Sequence, residues 1–276
     1  MEQPEPTTVE LHGQPLELRV AGTGRPILFL PGGLWLASDD AFILELAKLG
    51  RVTAPVHPGF GALPAPDHLH AADDLSYVYL DLLEHMLAEA KPDSNAVVVA
   101  ASFGAFVALQ MAVKSCRHIA GLVLIGPTGV KAGGREARDY VDLFTQADAQ
   151  LCDLAFADPA RFRVDLPELT EAAVVARVRA REALARYVWQ PYMHDPKLAG
   201  RLHRVATPTL LLRGAQDRIA APACADLIAA RVRGARLETI ANAGHLPHVE
   251  QPAATLAALD KLVRSLPAAA LSPARR

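Results

Sequence analysis

Short apolar runs alternate with longer segments whose apolar residues recur every three or four positions, and this alternation persists along most of the chain. Pro26 to Leu30, Arg51 to Val56, Ala96 to Ala101, Ala120 to Ile125 and Pro208 to Gly214 are rich in Val, Ile and Leu. Each predicts a strand buried on both faces. Ala235 to Ile240 predicts another, and Thr8 to Val20 reads as two antiparallel strands turning at Gly13. Between the runs, Asp73-Asp74 opens a stretch whose Leu75, Tyr79, Leu82 and Met86 share one helical face. Ser38-Asp39-Asp40 can cap a helix to about Leu49, and Leu256, Leu259 and Val263 mark a last helix from Pro252. Strands separated by helices predict an α/β fold with a parallel sheet. From about Pro127 to Pro196 the alternation stops. That segment reads as helical and rich in Arg and aromatics, and it falls between the sixth and seventh predicted strands.

Composition narrows the class. With 276 residues, 51% of them hydrophobic, the chain can bury a large core in one domain carrying an insertion. A net charge of −2 and a pI near 6.6 argue against nucleic acid or an anionic membrane as partner. Cys116, Cys152 and Cys224 lack framework spacing and read as reduced and structural, which favours the cytosol. The acidic, Pro-rich N-terminus is the opposite of a signal peptide, and no apolar run reaches membrane-spanning length. A cytoplasmic protein without a membrane partner is expected. No metal or cofactor is expected either. There is no H-E-x-x-H, and His68 and His70 lie in a Pro-rich loop without a Cys or carboxylate cluster. The glycines of Ala21-Gly22-Thr23-Gly24 precede a strand rather than follow one, so they are no dinucleotide loop.

The chemistry is concentrated where Val97-Val98-Val99-Ala100-Ala101 runs into Ser102-Phe103-Gly104-Ala105-Phe106. A strand, a sharp turn and a helix with a serine on the turn push that hydroxyl clear of the sheet and aim the following N–H groups the same way. Ala100 and Gly104 supply the small residues that let strand and helix approach closely. A serine nucleophile needs a base, an acid to orient the base, and donors for the oxyanion. Asp217 follows the strand Pro208 to Gly214, and His245 follows the strand Ala235 to Ile240. Both therefore fall just past the ends of successive parallel strands, where open α/β sheets place their sites. Gly126-Pro127-Thr128, after the sixth strand, offers no competing carboxylate.

These residues resemble an α/β-hydrolase-fold enzyme from about Val9 to about Leu266. Leu28-Phe29-Leu30-Pro31-Gly32-Gly33 is similar to the family's oxyanion turn, with Pro31 where His is more usual. His57-Pro58-Gly59-Phe60-Gly61 resembles the turn after the next strand, and Ala243-Gly244-His245 with Glu250-Gln251-Pro252 resembles the histidine loop and the start of the last helix. The resemblance implies a mostly parallel eight-stranded sheet flanked by helices, with a helical cap inserted after the sixth strand. Residues 1–127 and 197–276 would form the core and 128–196 the cap. It also implies roles: Ser102 as nucleophile, His245 as base, Asp217 as its orienting acid, and the N–H groups of Phe103 and Gly33 as the oxyanion hole, with Leu34 the rival for the second donor. Leu34, Trp35, Trp189 and Leu246 are the expected substrate-binding residues.

Other residues read more plainly. His248 is expected to be a surface histidine at a loop or helix start, and His57 to pack or hydrogen-bond beneath the site. Arg177, Arg179, Arg181 and Arg186 spread around a helix, so most of them are expected to face solvent, while Tyr187 and Tyr192 are expected to pack where the cap rejoins the core. The function expected is a serine hydrolase cleaving a small to medium, largely apolar carboxylic ester, thioester or lactone, with a small-molecule substrate as its partner. The oligomeric state is open. One alternative is a C–C bond hydrolase of the meta-cleavage type, although such enzymes usually carry Asn before the serine and Trp after the histidine, where this chain has Ala101 and Leu246. Another is a slow hydrolase-like ligand sensor. Haloalkane dehalogenases and epoxide hydrolases are excluded, because they need a carboxylate at position 102.

Overall fold

The structure is a computed structural model that describes residues 3–34, 39–88 and 94–267. Its strands are β1 (Glu5–Leu11), β2 (Gln14–Ala21), β3 (Pro26–Leu30), β4 (Arg51–Pro55), β5 (Ala96–Ala101), β6 (Ile119–Ile125), β7 (Thr209–Gly214) and β8 (Arg236–Ile240). They form one eight-stranded sheet in the order β1-β2-β4-β3-β5-β6-β7-β8. The β1–β2 and β2–β4 pairs are antiparallel and the rest are parallel. The expected α/β-hydrolase sheet is present. The chain steps from β3 to β4 in one direction and then returns past β3 to β5. The crevice outside the carboxyl ends of β3 and β5 is therefore the point where ligands bind in open α/β sheets.

Nine α-helices are described: α1 (Asp40–Leu46), α2 (Ala72–Leu87), α3 (Phe103–Lys114), α4 (Asp148–Ala155), α5 (Glu171–Val188), α6 (Leu198–Arg201), α7 (Pro222–Arg231), α8 (Pro247–Glu250) and α9 (Pro252–Ser265). They cover both faces of the sheet, and the alternation of side chains along β5 shows how. Ala96, Val98 and Ala100 join a core cluster that contains α2 and α3 residues, while Val97, Val99 and Ala101 join a second cluster with α1 and α9. All six residues of β5 are buried, and each buried valine contributes about 1.5–3 kcal/mol of transfer free energy. The continuous apolar run in the sequence follows from this double coverage.

Local details depart from the expected ones where a side chain has a better partner. Asp39 precedes α1 but makes no side-chain cap there; its carboxylate bonds His248 instead. Ser38 lies outside the described residues. Asp74, in the first turn of α2, accepts the Ala71 N–H at 2.9 Å and the His70 N–H at 2.8 Å. On α9 the fully packed stripe is Thr255, Ala258, Leu259 and Leu262, so Leu256 and Val263 flank it.

The chain between β6 and β7 carries α4, α5 and α6, but its first twenty or so residues hold no helix. Two isolated bridges, Gly129 with His194 and Tyr140 with Ala220, tie that irregular stretch down. Three of the four arginines expected mostly in solvent are instead engaged. Arg177 pairs with Asp148 at 2.9 Å, and Arg181 donates to the carbonyls of Leu143, Phe144 and Gln146. Arg186 donates to those of Leu69, Pro66 and Asp67. Guanidinium forks suit such clustered acceptors. Arg179 is exposed.

Candidate active site

Ser102 stands at the junction of β5 and α3 with φ +48° and ψ −114°, a conformation that non-glycine residues avoid. The surroundings hold it there. Its N–H extends the β5–β6 ladder to the Ile125 carbonyl at 2.8 Å, and its own carbonyl accepts the Thr128 hydroxyl at 3.1 Å. Gly104 explains why a small residue must follow, since a Cβ there would come within 2.3 Å of the Leu30 carbonyl oxygen. Ala100 is fully buried, so a methyl group fits at the other small position.

The three residues singled out from the sequence meet. Ser102 Oγ lies 2.8 Å from His245 Nε2, and His245 Nδ1 lies 2.8 Å from Asp217 Oδ2. The other carboxylate oxygen of Asp217 accepts the N–H groups of Ile219 at 2.9 Å and Ala220 at 3.1 Å. The carboxylate can only accept from the ring, which assigns the proton to Nδ1 and leaves Nε2 to accept from the serine hydroxyl. Ser102 and His245 are buried. Burial pushes the Asp217 carboxyl up, but the charge of His245 and hydrogen bonds from His245, Ala220 and Ile219 outweigh it and leave the group below its ordinary value.

The loops that carry Asp217 and His245 are joined to each other. Gln216 N–H donates to the Ala243 carbonyl at 2.9 Å while its side-chain oxygen accepts the Ala243 N–H at 3.1 Å. Gly214 fits where a Cβ would lie 1.9 Å from the Gly244 carbonyl oxygen.

The glycine turn after β3 faces Ser102. A Cβ on Gly32 would lie 3.4 Å from Ser102 Cβ, and one on Gly33 would lie 3.1 Å from Phe103 Cβ. Phe103 is the first residue of α3, so its N–H lacks an intrahelical acceptor and shares the positive end of the helix. Leu34 is buried in the core cluster beside this turn. Leu246 is buried too, its Cδ2 4.0 Å from the Cβ position of Gly32. Trp35 lies outside the described residues.

Trp189 is a different matter. It sits at the end of α5, 59% exposed and edge-on to Phe144. The α5 residue that meets the glycine turn is Leu184, whose Cδ1 would lie 2.5 Å from a Cβ on Gly33. Tyr187 stacks on Phe103 and Phe60 and donates to the Pro58 carbonyl at 2.9 Å. Leu184 and Tyr187, with Ala183 and Val188, form a buried stripe at helical spacing. That pattern could have marked the face, though not the residue that touches Gly33. Tyr192 packs edge-on to Phe144 and bridges Val141 and Leu143, its hydroxyl donating to one and accepting from the other.

His248 is not at the surface. It is 1% exposed, edge-on to Phe42 and Phe29, with Nε2 2.8 Å from Asp39 Oδ1. An acidic partner far away in sequence makes burial of this ring tolerable.

His57 lies beneath the glycine turn, as its position in the sequence suggests. Nε2 donates to the Pro31 carbonyl at 3.0 Å and Nδ1 accepts from the Tyr79 hydroxyl at 2.5 Å, with the ring edge-on to Phe103. Burial pushes its pKa down to about 4, against the opposing pull of the Pro31 hydrogen bond and the Asp39 charge. The unfolded ring titrates near 6.5. Between those values the unfolded chain takes up a proton that the folded chain refuses. The contribution of neutral His57 is thus complete above pH 6.5 and lost as pH falls through 4, amounting to about 3 kcal/mol. Denaturant melts across that window should show stability falling with pH, and His57→Gln, which keeps a donor and an acceptor, should flatten the slope. An unchanged slope in the variant would place the acid sensitivity in another group.

Among the described residues, no group of three or more His, Cys, Asp or Glu side chains is arranged to hold a metal ion, and no helix is long and apolar enough to cross a membrane.

A model of the alpha/beta hydrolase family matches residues 27–259, and the chain belongs to that family. It is 26% identical to the 2-hydroxymuconate semialdehyde hydrolase of Pseudomonas sp. (strain CF600) over 268 residues, 92% of each chain. It is 28% identical to the pimeloyl-[acyl-carrier protein] methyl ester esterase of Stenotrophomonas maltophilia (strain R551-3) over 272 residues, 94% of this chain and 98% of that one. Among solved structures it is similar to a hydrolase from Pseudomonas aeruginosa PA01, with a TM-score of 0.71, 25% identity, and 94% and 98% of the two chains covered. A meta-cleavage product hydrolase from Pseudomonas fluorescens IP01 shares the fold at a TM-score of 0.74 and 17% identity, with 94% and 97% covered.

Proposed function

We propose that this alpha/beta hydrolase is a serine hydrolase cleaving a small to medium, largely apolar carboxylic ester, thioester or lactone through an acyl-enzyme. The observation that carries the reading is the unbroken line Ser102–His245–Asp217, 2.8 Å at each link. In it, Ser102 Oγ attacks the acyl carbonyl while His245 Nε2 takes the hydroxyl proton. Asp217 holds the tautomer and balances the imidazolium, and the same proton then passes to the leaving alcohol, thiol or lactone oxygen. Water repeats the sequence to release the acid and restore the serine. The N–H groups of Phe103 and Gly33 receive the oxyanion, where donors fixed in advance stabilise charge as it develops. Residues 128–196 act as a cap over this site. A cytoplasmic location fits the three unpaired cysteines.

The side chains around the turn support this substrate class. Leu34, Leu184, Leu246 and Cβ of Phe103 lie around the turn, and Arg177, Arg181 and Arg186 are engaged with Asp148 and backbone carbonyls. Such a surface suits an uncharged acyl group better than a muconate-type substrate bearing a carboxylate. Similarity to a semialdehyde hydrolase keeps C–C bond cleavage as the second reading. A panel of p-nitrophenyl esters of increasing acyl length, with thioesters, lactones and a vinylogous diketone alongside, separates the readings. Turnover on esters with an optimum at short to medium length is expected. Turnover of the diketone alone would replace the ester reading, and tight binding without turnover would favour a sensor.

A further inference from the structure

The end of α4 is gripped from two sides. From the acid side, Arg218, the neighbour of Asp217, donates through Nη2 to the carbonyls of Asp153 and Phe156. From the base side, the His245 N–H donates to the Ala155 carbonyl at 2.7 Å. Gly244 passes so close to that carbonyl that a Cβ would come within 2.2 Å of its oxygen. Glu250 completes the arrangement. Its Oε2 accepts the Gly244 N–H at 2.5 Å, and its Oε1 accepts the N–H groups of Ala157 at 2.8 Å and Asp158 at 3.2 Å. The side chain is 4% exposed, so this carboxylate is kept inside by three backbone donors, an arrangement that stabilises a buried anion.

We propose, resting on the hydrolase reading above, that Glu250 is a positioning residue for His245. Its carboxylate bolts the base loop to the segment following α4, so the imidazole keeps its register between Ser102 and Asp217 only while the insertion is seated. The residue type matters because both oxygens must accept. Glutamine keeps one acceptor and turns an N–H₂ group toward N–H donors on the other side, and alanine removes both. The held atom is the backbone nitrogen next to His245. A slip there passes directly into the Ser102–His245 distance, and displacements of about 1 Å in such a geometry cost around 100-fold in rate.

A purely structural clasp would lower the melting temperature and leave the chemistry of the folded enzyme intact. The test therefore measures folded protein, well below the melting temperature, for Glu250→Gln and Glu250→Ala. The rate of Ser102 labelling by a fluorophosphonate should fall about 10-fold and about 100-fold respectively. For a p-nitrophenyl ester the loss should appear in kcat with KM little changed. A second readout needs no turnover: the low-field NMR resonance of the His245 Nδ1 proton, identified by its absence in His245→Ala, should broaden or vanish in Glu250→Ala. If Glu250→Ala does not fold, the glutamine variant decides alone by the same measurements. Labelling within about threefold of wild type, with the low-field proton retained, would overturn the proposal. If the wild type neither labels nor turns over an ester, yet the low-field proton is present and lost in the variants, the hydrolase reading falls and the positioning role stands.

Discussion

Ser102→Ala should carry no adduct after exposure to a fluorophosphonate that adds one to the wild type, and its kcat on the best ester should be lower by roughly 10⁵- to 10⁶-fold. The expectation comes from the geometry of one oxygen. Oγ has His245 Nε2 as its partner at 2.8 Å and stands at the start of α3 beside the glycine turn. In the proposed mechanism it is both the atom that attacks and the atom whose proton the base removes. Losing it leaves the N–H donors and the pocket, which retain a small residual acceleration. The methyl group fits the same space, so near-UV circular dichroism should be unchanged. Labelling of the variant at the wild-type rate would move the nucleophile elsewhere.

Asp217→Asn should lower kcat by roughly 10³-fold or more while KM changes little. The direction follows from which end of the amide faces the ring. The N–H groups of Ile219 and Ala220 already claim one carboxylate oxygen, and in asparagine they will keep the amide oxygen on their side. The N–H₂ group then points at His245 Nδ1 and forces that nitrogen to accept. The ring proton moves to Nε2, facing Ser102, and the base can no longer take the hydroxyl proton. The loop itself stays in place. A fall of less than about threefold would mean that a different group orients the base.

The candidate site was more legible than its surroundings, for a physical reason. A strand, a turn and a helix around Ser102 are local, so Val97 to Phe106 carries the whole device in ten residues. Asp217 and His245 can be placed because each follows a strand that the sequence marks, and parallel strands share one carboxyl end. What the sequence hid depends on contacts between distant segments. His248 reads as a surface residue until Asp39, 209 positions away, comes to meet it. Leu184 sits in an arginine-rich helix with weak amphipathic contrast, and only the packing of α5 brings it to Gly33. Trp189, an aromatic near the end of the segment between β6 and β7, reads as a pocket residue in the sequence, yet it is turned outward at the end of α5. The engagement of the α5 arginines is hidden because Arg177 meets Asp148 across 29 positions, while most of the acceptors of Arg181 and Arg186 are backbone carbonyls, to which every residue contributes alike. The unhelical start of the insertion has no periodic signal to read.

The backbone at Ser102 has a consequence for how this protein can change. A residue other than glycine held at φ +48° and ψ −114° costs of order 1–3 kcal/mol. The junction endures because six buried residues of β5 and eleven of α3 surround it. Glycine at 102 would relax the backbone and remove the hydroxyl that the proposed mechanism needs. At this position, selection for a sturdier chain and selection for a working one pull in opposite directions. A gain in stability traced to it is a sign that the protein has been freed from its chemistry.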